Sequence, residues 1–138
     1  MLSGLAAGAA FGQDSAAPVF YAQDIKAAMA DYVTSTIDEE GLFHLVDEKT
    51  GEALRLRFIQ VHNPVRQMKN DVYFACTDFH VEGDAEKIYD IDFWLDGKSG
   101  TLTVFQTKVH KEPRHSLLYG WYKHPRYTFV DDEIEYLY

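Results

Sequence analysis

Two aspartates stand two residues apart at Asp90 and Asp92, a strand-like spacing for a residue type poorly suited to strands. A third, Asp78, lies with His80 in the apolar run before them. Gln106, Lys108 and His110 alternate in the run after them. Like charges this close need a compensating partner, for which Lys108 and His80 are the nearest candidates. Carboxylates gathered with imidazoles fit three readings. They form the solvated face of an antiparallel sheet. They orient a ligand whose body lies on nearby rings such as Trp94. Or they hold a divalent cation or an acid–base pair, with His80 or His110 as the base. No pair has a recognised metal-ligand spacing, so the sequence calls for no metal and no cofactor.

A second constellation is Trp121-Tyr122-Lys123-His124-Pro125-Arg126-Tyr127. Rings interleaved with cations can stack on a flat ligand or grip an anion, with Trp121 and Arg126 as the contact residues. The plainer alternative is a strand whose rings enter the core while its cations reach water. Lys108, Lys111, Arg114, Lys123 and Arg126 face only Glu112 in this stretch, whereas the chain as a whole carries −9. Asp131, Asp132, Glu133 and Glu135 follow directly and can neutralise these cations. A net charge of −9 disfavours nucleic-acid phosphates and anionic membranes as partners. Cys76, the single cysteine, sits in an apolar run and reads as a buried, inert thiol. His62-Asn63-Pro64-Val65-Arg66 reads as an ordinary loop. Gly-rich phosphate loops, nucleophile elbows, HExxH, CxxC and EF-hand signatures are missing.

The elements that must position these residues follow from periodicity. From Pro18 to Ile37, Tyr21, Ile25, Ala28, Met29, Tyr32 and Val33 recur at helical steps. After Gly41 the period becomes two. Strands are expected at Leu42–Val46, Ala53–His62, Val72–Val81, Lys87–Leu95 and Thr101–His110, with a sixth, or two short ones, between Leu117 and Val130. Turns fall at 47–51, with Gly51 placed for positive φ, and at 96–100. Alternation puts Tyr73, Ala75, Thr77, Phe79, Val81, Tyr89, Ile91, Phe93, Leu95, Thr103, Phe105 and Val109 on a face that meets the helix. Phe74, Cys76, Trp94, Leu102 and Val104 fall on the outer face with the polar set Asp78, His80, Asp90, Asp92, Gln106, Lys108 and His110. The turn at 96–100 predicts Asp92 beside Val104 and Asp90 beside Gln106.

One helix followed by antiparallel strands is an α+β pattern, a helix packed on a curved sheet of five to six strands. This order is similar to the cystatin-like and NTF2-like layouts, a likeness of arrangement and not of motif. Residues 15–138 form one domain. Residues 1–14 read as a signal-peptide remnant or a tail: Leu2–Phe11 is apolar, with small-x-small steps at Ala7-Gly8-Ala9 and Gly8-Ala9-Ala10, and the polar Gly12–Ser15 follows. A periplasmic or secreted setting is the expectation, and no segment is long enough to span a bilayer. The leading functional reading is a non-enzymatic domain that binds a small molecule or a protein. The alternatives are an NTF2-like pocket enzyme with an Asp/His pair, and an assembly protein that dimerises through Phe74, Trp94 and Leu102 on the outer face.

Overall fold

The computed structural model describes residues 19–62 and 65–138. Leu2–Phe11, the expected helix start at Pro18 and the Asn63-Pro64 break lie outside the described residues. Helix α1 spans Ala22–Thr36. Ile25, Met29 and Val33, one turn apart, bury a single stripe. The Asp24 carboxylate accepts from the Tyr21 N–H at 2.7 Å, satisfying a donor that the first turn leaves free. At the other end the Thr36 hydroxyl bonds back to the Tyr32 carbonyl, and the chain turns away in extended form at Ile37.

Among the described residues nine strands follow: β1 (Phe43–Val46), β2 (Ala53–Val61), β3 (Arg66–Gln67), β4 (Val72–Val81), β5 (Asp84–Asp96), β6 (Thr103–Ser116), β7 (Gly120–Pro125), β8 (Tyr127–Val130) and β9 (Glu133–Tyr136). Seven form one open antiparallel sheet in the order β1-β2-β4-β5-β6-β7, with β3 added alongside β4. This exceeds the five to six strands expected. β6 runs on through Glu112-Pro113, where the sequence suggests an end. Pro113 is tolerated because β6 has lost β5 as a neighbour beyond Lys111, leaving an edge that needs no N–H.

On β4 and β5 the expected alternation holds. Tyr73, Ala75, Phe79, Ile91, Phe93 and Leu95 are fully buried with the helix stripe. On β6 it fails. The β5–β6 loop takes six residues, 97–102, and two bulges follow it. Phe105 is the extra residue between the Trp94–Gln106 and Leu95–Val104 pairs, and His110 that between Asp90–Lys111 and Ile91–Val109. Leu102 and Val104 therefore pack against the helix-side core, while Phe105 is 55% exposed and Thr103 is exposed. Asp92 sits opposite Lys108, not Val104, and Asp90 opposite Lys111, not Gln106.

Around Phe74, Trp94 and the three aspartates the outer face is not solvated, whereas His80, Gln106 and Lys108 stay partly exposed. β8 and β9 form a separate hairpin across it, turning at Asp131 and Asp132 with φ of 52° and 66°. Two successive positive φ values define the tight turn that matches strand twist, and Asp tolerates them better than most residues. Phe129 and Tyr127 cover Phe74 and Trp94, with the Phe74–Phe129 centroids 5.0 Å apart. Phe74 and Trp94 are 4% and 6% exposed, so the surface invoked for dimerisation is occupied within the chain.

Candidate functional site: a buried carboxylate cluster

Asp78, Asp90 and Asp92 do share one neighbourhood on the outer face. Asp78 lies directly across from Asp90, and Cys76 across from Asp92. It is an interior, however, with exposures of 6%, 1% and 0%. Three carboxylates out of water need compensation. Asp78 finds it in His62 Nε2 at 2.6 Å and Lys123 Nζ at 3.0 Å. Burial pushes the Asp78 carboxyl up, but these two partners outweigh it and hold the group below its ordinary range. Asp92 accepts from the Cys76 thiol at 2.8 Å and from the Tyr127 hydroxyl at 2.7 Å, and His110 Nδ1 stands 3.2 Å away. Burial, and then the neighbouring carboxylates, push both the Cys76 thiol and the Tyr127 hydroxyl up. Cys76, half-buried and not fully buried as its apolar run suggested, is a proton donor to Asp92 here.

His110 is placed by its bulge. Its Nε2 donates to the Tyr127 carbonyl at 2.9 Å, and the two rings stack with centroids 4.5 Å apart. A carbonyl only accepts, so Nε2 carries hydrogen and Nδ1 is left facing Asp92. Burial opposes a charged imidazole, but Asp92 and Asp90 outweigh it and raise the His110 pKa. Asp90 has the poorest partners. Its closest cation is Lys111 Nζ at 4.0 Å, and burial, then the Asp92 charge, raise its pKa.

The other expected site residues lie apart. His80 spends Nδ1 on the Val81 carbonyl at 2.9 Å and pairs with Ile88. Lys108 donates to the Tyr136 hydroxyl at 3.2 Å and leaves Asp92 to others. Gln106 lies opposite Trp94. Trp121 sits on β7 against His115, with Lys87 Nζ 5.0 Å above its ring. Arg126 does not reach water. At 4% exposure it forks onto both Asp47 oxygens at 2.7 Å and donates Nε–H to Glu112 at 2.8 Å. Its partners come from elsewhere in the chain, not from the acidic tail, and it cannot grip an external anion.

Sequence reasoning passed over His62 and Tyr127. A bulge at Ile59, between the Phe58–Phe79 and Gln60–Asp78 pairs, rotates the end of β2 so that Val61 turns to the core and His62 to the acids. No residue type announces that bulge. Tyr127 had a legible signal, a ring beside an arginine just after a proline, but its target became visible only once β8 crossed the sheet.

Clefts lie elsewhere on the molecule. A groove of about 640 Å³ runs between α1 and the β5–β6 loop, with Phe20, Ala28, Tyr32, Leu102 and Val104 as its apolar lining and Asp24 and Asp31 as its acids. A second, of about 370 Å³, lies among Leu54, Tyr89, Pro113 and Trp121. Neither is lined by the carboxylate cluster. No family model matches the chain, and no curated protein or solved structure matches it either.

Proposed function

We propose that this protein is a non-enzymatic binding domain that assembles with further copies of itself through the β6–β7 hairpin. One observation carries the reading. Leu117, Leu118 and Tyr119, consecutive at the hairpin tip, are 99%, 83% and 82% exposed. Three adjacent large apolar side chains held in water at a protrusion mark a contact element. Arg114 and His115 flank them. The chain's own groove beside α1 complements this tip, being concave, apolar in its lining and bordered by Asp24 and Asp31. A tip docked in another copy's groove is a heterologous contact, which propagates into a ring or a chain.

The contact is weak by arithmetic. Burying three such side chains gains about 5–9 kcal/mol gross, and association costs about 4–15 kcal/mol. The most favourable balance, about 9 against 4 kcal/mol, leaves about 5 kcal/mol, a Kd of roughly 0.2 mM, to which the charged borders add. The apolar small-residue segment at 2–11 supports an exported setting, and the helix-then-strands order supports the cystatin-like or NTF2-like layout as an analogy.

Sedimentation velocity up to about 200 μM tests the reading, a range that reaches sub-millimolar Kd. Concentration-dependent association is expected for the wild type and a monomer for Leu118→Asp. Asp31→Arg is expected to weaken association, and Arg114→Glu in the same chain to restore part of it. A wild type that stays monomeric across the range overturns the proposal.

A further inference from the structure

Among the described residues, three buried side-chain polar atoms have no hydrogen-bond partner: Thr77 Oγ1, Asp90 Oδ1 and His110 Nδ1. Two of the three belong to the carboxylate cluster, and both can ligate a metal. Buried polar atoms in folded proteins are almost always satisfied; here Asp90 Oδ1 has no partner and His110 Nδ1 has only the Asp92 carboxylate 3.2 Å away, without a hydrogen bond, which points to something that completes them.

We infer that Cys76, Asp90, Asp92 and His110 form a binding site for a divalent cation of the zinc class. Sulfur, nitrogen and oxygen ligand atoms from these four side chains all lie within 4.8 Å of one another. A tetrahedral zinc, with bonds of about 2.0–2.3 Å, has ligand-to-ligand edges of roughly 3.3–3.7 Å. His110 Nδ1 stands 3.2 Å from Asp92 Oδ2, already close to such an edge, while the Cys76 sulfur lies 2.8 Å from the other carboxylate oxygen, Oδ1, and must draw back slightly to take its place. The mixed donor set, one thiolate with one imidazole and two carboxylates, suits zinc better than magnesium or calcium, which take oxygen.

The surroundings are those of a ligand set. A metal-bound histidine donates its second ring N–H to a carbonyl or carboxylate, which fixes ring and tautomer. His110 does this through Nε2 to Tyr127, leaving Nδ1 directed at Asp92. A ligating carboxylate is itself hydrogen-bonded, as Asp92 is by the Tyr127 hydroxyl. Asp90, 1% exposed with Oδ1 unpartnered, has only Lys111 Nζ at 4.0 Å beside its other oxygen. Without the cation, the Cys76 thiol donates its hydrogen to Asp92. On binding, that proton leaves to solvent and the thiolate coordinates. The cover over the site is the β8–β9 hairpin, with four residues in each strand, a small element to displace for entry. The sequence alone offered no spacing for such a site because its ligands come from three strands.

Cobalt(II) titration of the full chain, freed of metal beforehand, tests this directly. One equivalent is expected to give intense tetrahedral d–d bands in the visible and a sulfur-to-cobalt charge-transfer band in the near ultraviolet, both removed by zinc. Cys76→Ser should abolish the charge-transfer band and keep weakened d–d bands. His110→Gln and Asp90→Asn should lower affinity by more than the roughly 10–100-fold typical of losing an outer-shell partner. Asp90→Asn is nearly isosteric, and circular dichroism verifies that it folds. An absence of both bands with excess cobalt overturns the inference, as does a wild-type affinity equal to that of Asp90→Asn.

Discussion

Replacing Arg126 with Met should cost this protein about 3–5 kcal/mol at neutral pH, the usual penalty for leaving a buried charge without its partner. The side chain is 4% exposed, its fork holds both oxygens of Asp47, itself 1% exposed, and its Nε–H serves Glu112. Met fills similar space, so the loss is electrostatic rather than a cavity. The structure also sets a pH signature. Burial drives the Asp47 carboxyl up, but Arg126 and the N–H groups of Lys49 and Thr50 outweigh it and hold the pKa at about 2, against 3.8 for the free group. A shift of that size corresponds to about 2.4 kcal/mol at 1.36 kcal/mol per unit. Because the folded pKa lies below the unfolded one, this contribution is complete above 3.8 and disappears as pH falls toward 2. The gap between wild type and Arg126→Met should therefore narrow by about 2 kcal/mol between pH 4 and pH 2. Urea unfolding at stepped pH measures it, and thermal midpoints should differ by about 10–20 °C at pH 7. A loss below about 1 kcal/mol at pH 7, or a gap that does not change on acidification, would refute the account of this pair.

Phe93→Ala should destabilise by about 3–5 kcal/mol in urea, because Phe93 is fully buried and meets Tyr32, Phe43 and Phe79. Tyr127→Phe should cost about 1.5–3 kcal/mol, the loss of a hydrogen bond to a buried carboxylate, with the ring stack on His110 retained. Leu118→Asp should change stability by less than about 0.5 kcal/mol, since the side chain touches water and little else; a larger loss by the same assay would show that the tip packs onto its own chain.

Residue order alone was enough for the α+β class, the helix, the boundaries of β4 and the core faces of β4 and β5. These are local properties. A 3.6 or 2.0 period in apolar residues can be read without knowing the neighbours. The gathering of Asp78, Asp90 and Asp92 followed from the same rhythm, because β4 and β5 are consecutive and join through a short turn at Gly83, which takes positive φ.

What only the tertiary structure decided is where that rhythm breaks and what covers it. The bulges at Ile59, Phe105 and His110 each add one residue and reverse every side chain beyond them. They exchange Phe105 for Val104 at the core and bring His62 to Asp78. Nothing in the residue types marks them, because a bulge is set by how two strands fit and not by either strand alone. The same holds for the cover. Alternation says that Phe74, Trp94 and the aspartates point away from the helix, but not that β8 and β9 return across them. That return turns an expected solvated face into an interior, and with it an ordinary set of surface acids into a buried cluster whose charges must be matched. Burial comes from the whole chain, and burial is what gives these carboxylates their chemistry.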